Sequence, residues 1–197
     1  MSLPLRDRER HTYRDYCAWS EDVRYEVVDG HAYLMAPAPS VDHATVAGEI
    51  FRQAGNALEG KRCRVFAAPV DVLLPTPEQR ADDDVDTVVQ PDVFVVCDAT
   101  KIGAQRIRGA PDWVVEVLSP ATAGHDQIVK RGVYERAGVR EYWLVHPTDR
   151  VLTIHRSTNG HFGVPDVQEL SGETAVTSVP DVVIRWDPIV ALLGPRA

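Results

Sequence analysis

The chain has 197 residues, 44% hydrophobic and 25% charged, and 29 acidic against 21 basic residues give a formal net charge of −8. That length suits one domain spanning 1–197, and the apolar fraction can form a core without structural metal or disulfides. The acidic balance argues against a protein that coats nucleic acid, which normally carries a basic footprint.

Basic residues nevertheless cluster locally, at Lys61-Arg62-Cys63-Arg64, at Lys101 with Arg106 and Arg108, and at Lys130-Arg131 with Arg136 and Arg140. A local positive groove on an acidic molecule therefore stays open. Cys17, Cys63 and Cys97 are far apart and odd in number, so reduced, mostly buried thiols are expected rather than a zinc ribbon or a disulfide framework. The first residues are charged and lack an apolar signal core. No apolar run approaches the ~18 residues that would span a bilayer. A soluble, cytoplasmic chain with no membrane partner is the expectation.

In chain order, residues 12–19 read as a short helix capped by Thr12 or a neighbour. Arg24 to Met35 reads as a hairpin around Asp29-Gly30, a strong type I′ turn signal between β-prone runs. Ser40 is a plausible N-cap for a helix to about Leu58, with Val46, Ile50, Phe51, Ala54 and Leu58 on one stripe, and Gly60 ends it. Strands follow at 62–67 and 70–74, then a Pro- and Asp-rich loop over 75–87. The like charges of Asp82-Asp83-Asp84 and Asp86 suggest a solvated, flexible segment.

Two apolar runs, 92–97 and 112–118, read as strands buried on both faces. A helix over 124–137 stops at Gly138, a strand covers 141–146, and Asp149-Arg150 turns the chain into 151–156. Asn159-Gly160 suggests another hairpin. Two or three weak strands and a short helix near 187–193 finish the chain. The order indicates a mixed α/β (α+β) fold, a central mixed β-sheet flanked by helices with added hairpins at both ends. The four tryptophans, Trp19, Trp113, Trp143 and Trp186, read as core.

Chemistry concentrates in the two apolar runs. Glu116 interrupts Trp113-Val-Val-Glu-Val-Leu118, and an ionised carboxylate there is strongly disfavoured unless something pairs with it. Side chains alternate along a strand, so Asp112, Val114, Glu116 and Leu118 share one face. Pro91-Asp92 opens the neighbouring run, so two acids on adjacent strands form half of a metal site. On the following helix Asp126, Lys130 and Tyr134 stand at i, i+4 spacing. Acidic oxygens hold Mg²⁺, a hard cation, and a nearby ammonium can stabilise the added negative charge of a phosphodiester transition state.

Gln90-Pro-Asp-Val-Phe-Val-Val96, Ala110-Pro-Asp-Trp-Val-Val-Glu-Val-Leu-Ser-Pro-Ala-Thr122 and Gly138-Val-Arg-Glu-Tyr-Trp-Leu-Val-His-Pro147 resemble the signature blocks of the Uma-two family, a bacterial group of the PD-(D/E)XK restriction-endonuclease-like superfamily. Tyr25-Glu-Val-Val-Asp-Gly30 and Ala36-Pro-Ala-Pro-Ser-Val-Asp-His43 are similar to its N-terminal blocks. The resemblance covers roughly residues 12–193. It implies a restriction-endonuclease-like core and Mg²⁺-dependent phosphodiesterase chemistry, with Mn²⁺ as a substitute ion. It assigns Asp92 and Glu116 as metal ligands, joined by the Val117 carbonyl. The superfamily places Lys two positions after the acid, where this chain has Leu118, and Lys130 on the next helix looks like a migrated substitute. Glu26 is a candidate third carboxylate and His43 a candidate at the pocket edge. His146 departs from the family, where Asp is expected.

Each assignment has a plainer alternative. Glu116 could be one half of a structural ion pair, and Asp92 could take backbone hydrogen bonds in an Asx-turn. Lys130 could pair with Asp126 on a surface, and Glu26 could pair with Arg24. Three functions compete: an endonuclease acting on DNA, working as a homodimer by analogy with nucleases that cut both strands; a catalytically silent nuclease fold used for binding or assembly; and a metal hydrolase for a small phosphorylated substrate.

Overall fold

The computed structural model describes residues 9–20, 24–35, 39–119 and 123–194. Residues 36–38 and 120–122, which belong to two of the resemblance blocks, lie outside the described residues.

A short helix, α1 (Tyr13–Cys17), precedes a hairpin of β1 (Tyr25–Val28) and β2 (His31–Leu34). Asp29 and Gly30 both have positive φ, 50° and 78°, as the tight turn between twisted strands requires. The long helix α2 (Val41–Ala57) starts where the Ser40 hydroxyl accepts the His43 amide at 3.2 Å. Val46, Ile50, Ala54 and Leu58 are buried as expected, but Phe51 is 39% exposed. One residue past Ile50, it is turned about 100° off the apolar stripe.

Then come β3 (Arg64–Ala67), β4 (Asp71–Leu73), β5 (Val88–Val89), β6 (Val93–Val96), β7 (Arg106–Arg108) and β8 (Trp113–Val117). The two-residue β5 and three-residue β7 lie outside the strands expected from the sequence. After β8 the expected helix is present in two parts, a π-helix over His125–Lys130 and an α-helix, α3 (Arg131–Ala137), closed by Gly138 at φ 88°. The wider i→i+5 turn buries His125, Asp126 and Lys130 together. The chain ends with β9 (Glu141–His146), β10 (Val151–Thr158), β11 (His161–Phe162), β12 (Asp166–Glu169), β13 (Glu173–Ala175), β14 (Val183–Arg185) and α4 (Asp187–Val190).

The main sheet runs β11-β10-β9-β8-β6-β3, with β12 also on β10, and is mixed because β8 and β9 are parallel. A second sheet runs β2-β1-β5-β4-β7. Alternation along β8 explains the layers. Trp113, Val115 and Val117 join α2, α4 and the β13–β14 ribbon in one apolar core. Val114 and Leu118 face the other way, into a core shared with the second sheet and α3. Trp113, Trp143 and Trp186 are fully buried, whereas Trp19 is half-buried and meets His11, Tyr16 and Tyr25 edge-on.

Three expectations need correction. Cys63 and Cys97 form a disulfide, and only Cys17 is free, on the surface. The antiparallel register pairs Arg64 with Val96, so one step further sets the two cysteines opposite each other, a proximity that spacing in the sequence does not show. The acidic loop is not merely solvated. Asp82 takes Arg106 at 2.6 Å and Arg108 at 2.7 Å, Asp83 takes Arg14, and Asp86 takes Arg10. Part of the basic clusters' charge is likewise matched, since Arg136 pairs with Asp29, Arg140 with Asp112, and Lys130 is buried.

Candidate active site

The site forms where β6 begins and β8 ends. Their antiparallel register pairs Val93 with Val115, and one step beyond that pair Asp92 stands opposite Glu116. Residues directly opposite in such a pair share a face, with Cβ atoms about 4.5–5.5 Å apart. Asp92 Oδ2 accepts the Val117 amide at 2.7 Å, which fixes that carboxylate against the end of β8.

Lys130 is turned inward. Its Nζ lies 2.9 Å from Glu26 Oε1, 3.0 Å from Glu116 Oε1 and 3.4 Å from Asp126 Oδ1. Tyr134, one turn along α3, donates its hydroxyl to the same Glu116 oxygen at 2.8 Å. Glu26, Glu116, Asp126 and Lys130 are each 3–4% exposed. The second sheet therefore supplies Glu26 through β1, and Gln90 ties the sheets together. Its amide donates to Glu26 Oε1 at 2.9 Å, while its side chain bridges Arg24, Tyr16 and Asp71. Arg24 thus bonds Gln90, and Glu26 takes Lys130 instead.

His43, at the start of α2, places Nε2 3.2 Å from Asp92 Oδ2. These two side chains, 14% and 21% exposed, form the open rim of the cluster. His146 lies at the end of β9 and faces Asp149 at 3.9 Å, away from the carboxylates.

Burial raises Glu116 well above the ordinary carboxylate range. Lys130 opposes this, while the charges of Asp126, Asp92 and Glu26 add to it. Burial works against the charge on Lys130, but Glu116, Glu26 and Asp126 push its proton affinity well up. The two directions compete, because a protonated Glu116 attracts the ammonium less. Glu26 and Asp126 still face it and hold Lys130 in its charged form. Glu26, although burial works against its charge, is held down to about 2 by Lys130, His125 and the Gln90 amide. Burial lowers His43 too, yet Asp92, Asp126 and the Val117 backbone raise it above its ordinary value.

Three carboxylates, Glu26, Glu116 and Asp126, thus surround one ammonium, and a fourth, Asp92, stands across the strand pair from Glu116. Hard oxygen donors with surplus negative charge fit a divalent cation of the Mg²⁺ type. Among the described residues no three His, Cys, Asp or Glu side chains converge as a ready-made metal cluster. A cation would therefore rest on Asp92 and Glu116, with the Val117 carbonyl and solvent completing the shell.

His125 and Gln90 were not among the candidate residues, although Gln90 opens the first resemblance block. His125 is 4% exposed, lies tilted against Tyr33 with ring centroids 4.6 Å apart, and has Nε2 3.5 Å from Glu26 Oε2, with neither ring nitrogen hydrogen-bonded. Asp126 and Tyr134 were signalled by their spacing with Lys130, but only as a helix stripe.

Residues 11–186 match the Uma2 family, described as “Putative restriction endonuclease”. The chain belongs to the Uma2 family. It is 25% identical over 158 residues to the uncharacterised protein slr1290 of Synechocystis sp., covering 78% of each chain. Its fold matches the crystal structure of a “putative nuclease belonging to DUF820” from Anabaena variabilis at a TM-score of 0.68 and 18% identity, over 91% of this chain and 97% of that one. The Uma2 chain described here thus has a restriction-endonuclease-like fold, a mixed α/β architecture. Among the described residues no helix is long and apolar enough to cross a membrane.

Proposed function

We propose that this Uma2 chain is a Mg²⁺-dependent endonuclease that hydrolyses phosphodiester bonds in DNA. The observation that carries the reading is the pairing of Asp92 and Glu116 across adjacent strands with the Lys130 ammonium 3.0 Å from Glu116. The descriptions attached to the family and to the Anabaena structure support it. Asp92, Glu116 and the Val117 carbonyl would hold the ion. When bound, Mg²⁺ supplies Lewis acidity that offsets phosphate charge and acidifies water.

The chain's own groups do the rest. Lys130 places a fixed positive charge beside Glu116, where negative charge grows as the phosphate is attacked. Glu26 and Tyr134 hold that ammonium and that carboxylate in register. Asp92 and His43, at the rim, are the first groups a phosphodiester meets. The working unit is a single domain that acts as a homodimer on duplex DNA. A cytoplasmic location belongs to the same reading, and the Cys63–Cys97 disulfide bears on it, since that compartment keeps most thiols reduced.

One observation favours a catalytically silent binding module instead. Lys130 is already matched by three carboxylates, on a chain of net charge −8. Plasmid nicking separates the readings. Purified protein with Mg²⁺ or Mn²⁺ should cleave, and Glu116→Ala should abolish cleavage while keeping the fold. Equal traces from wild type and variant would mean contamination and would remove the catalytic reading.

A further inference from the structure

A cavity of about 630 Å³ is lined by none of the residues of the carboxylate cluster. Its charged lining is Arg80, Arg108 and Arg136 against Asp29, and even with Asp82 paired to Arg108 the positive charges there outnumber the negative on a protein whose net charge is −8. Pro75 and Val133 give it an apolar wall.

The three guanidinium groups differ in how firmly they are held. Arg108 is fixed, donating to Asp82 at 2.7 Å and to the carbonyls of Gln79 and Arg80. Arg136 is paired with Asp29 at 2.8 Å, but both side chains are about 60% exposed, so that pair contributes little and can exchange for another anion. Arg80 is exposed, and among the described residues its side chain makes no hydrogen bond or ion pair. One anchored and two available guanidinium groups suit a phosphate, which accepts several such donors at once.

The cavity and the catalytic cluster are built on the same two elements. β1 carries Glu26 into the cluster and ends beside Asp29 at the cavity. Lys130 leads directly into α3, which reaches the cavity at Val133 and Arg136. Six residues of helix separate Lys130 from Arg136, about 9 Å at 1.5 Å per residue.

We infer that this cavity is a second phosphate subsite, which holds a backbone phosphate of the same nucleic-acid strand whose scissile bond lies at Glu116. The inference rests on the nuclease reading and adds to it the path of the strand. Arg136 releases Asp29 to take the phosphate together with Arg80, and the adjoining sugar and base lie against Pro75 and Val133.

The test uses full-length Glu116→Gln protein, which binds without cleaving, and labelled single-stranded and duplex DNA oligonucleotides in a salt series. Adding Arg80→Ala and Arg136→Ala should weaken binding about tenfold at low salt. The same pair should flatten the dependence of log affinity on log salt by about one, because the lost phosphate contact removes slightly less than one from that slope. A control pair outside the cavity, Arg14→Ala with Arg62→Ala, should leave the slope unchanged. If the cavity variant binds as its parent does, or the control weakens binding equally, the subsite is overturned and the nuclease reading stands. If the parent binds no oligonucleotide, both fall. Saturable binding of inorganic phosphate, with oligonucleotide affinity indifferent to Arg80 and Arg136, would assign the cavity to free phosphate and overturn the strand path.

Discussion

Glu116 and Glu141 lie on the adjacent parallel strands β8 and β9, and both are almost wholly buried, at 3% and 1% exposure. Their surroundings differ in charge. Glu141 accepts the Trp143 indole N–H at 2.8 Å and the Ser178 amide at 2.7 Å, with Arg156 at 3.5 Å. Its oxygens are matched by donors, the ordinary condition of a buried acid. Glu116 also has donors, Lys130 and Tyr134, but it feels three further carboxylates. Burial of a charge is thus not itself a mark of function. A surplus of like charge is, because the fold leaves it for a ligand to neutralise.

Lys130→Met should break this contrast most severely. It leaves three buried carboxylates without their cation, and loss of about 3–5 kcal/mol is expected in chemical denaturation. The variant should recover stability as pH falls and those carboxylates take up protons. Glu116→Gln sharpens the contrast in the opposite sense. Metal-dependent cleavage should fall at least about 100-fold, while the melting temperature holds or rises. The sign follows from linkage. A carboxyl whose pKa is raised by folding stabilises the protein at low pH, and that contribution is lost as pH rises through its folded value. A clear drop in melting temperature for Glu116→Gln at neutral pH would make Glu116 a second Glu141.

Glu141→Ala should cost about 2–3 kcal/mol by leaving buried N–H donors unmet, and should leave Mn²⁺ affinity as it was. Glu26 gives an effect of similar size that depends on pH. Folding lowers it from 4.5 to about 2, so its contribution is present above pH 4.5 and is lost as pH falls toward 2. Wild type should lose about 2–3 kcal/mol across that window beyond what Glu26→Gln loses. Arg14→Ala, which removes an exposed ion pair with Asp83, should change stability by less than about 1 kcal/mol.

What the sequence disclosed follows from distance along the chain. Glu116 stood out because five apolar neighbours flank it within one strand, and Asp92 because it opens the next such strand. The Asp29-Gly30 turn and the Ser40 cap were equally local. Glu26 was ambiguous, since its partners Gln90 and Lys130 lie 64 and 104 positions away. The partners of Asp82 stand 24 and 26 positions further on, so its loop read as solvated. Cys63 and Cys97 are 34 apart, and only the β3–β6 register makes them neighbours. His125 was hidden for another reason. A helix of ordinary pitch gives no cause to turn it inward, and the π-helical turn that does so has no known signature in these residues.

The central claim is that Asp92 and Glu116 jointly hold one divalent ion. Anomalous diffraction from a crystal soaked in Mn²⁺ tests it most directly. A single peak within coordination distance of both carboxylates, lost in Glu116→Gln, is the predicted result. Fully ordered Asp92 and Glu116 side chains with no peak between them, or a peak that persists in Glu116→Gln, would contradict it.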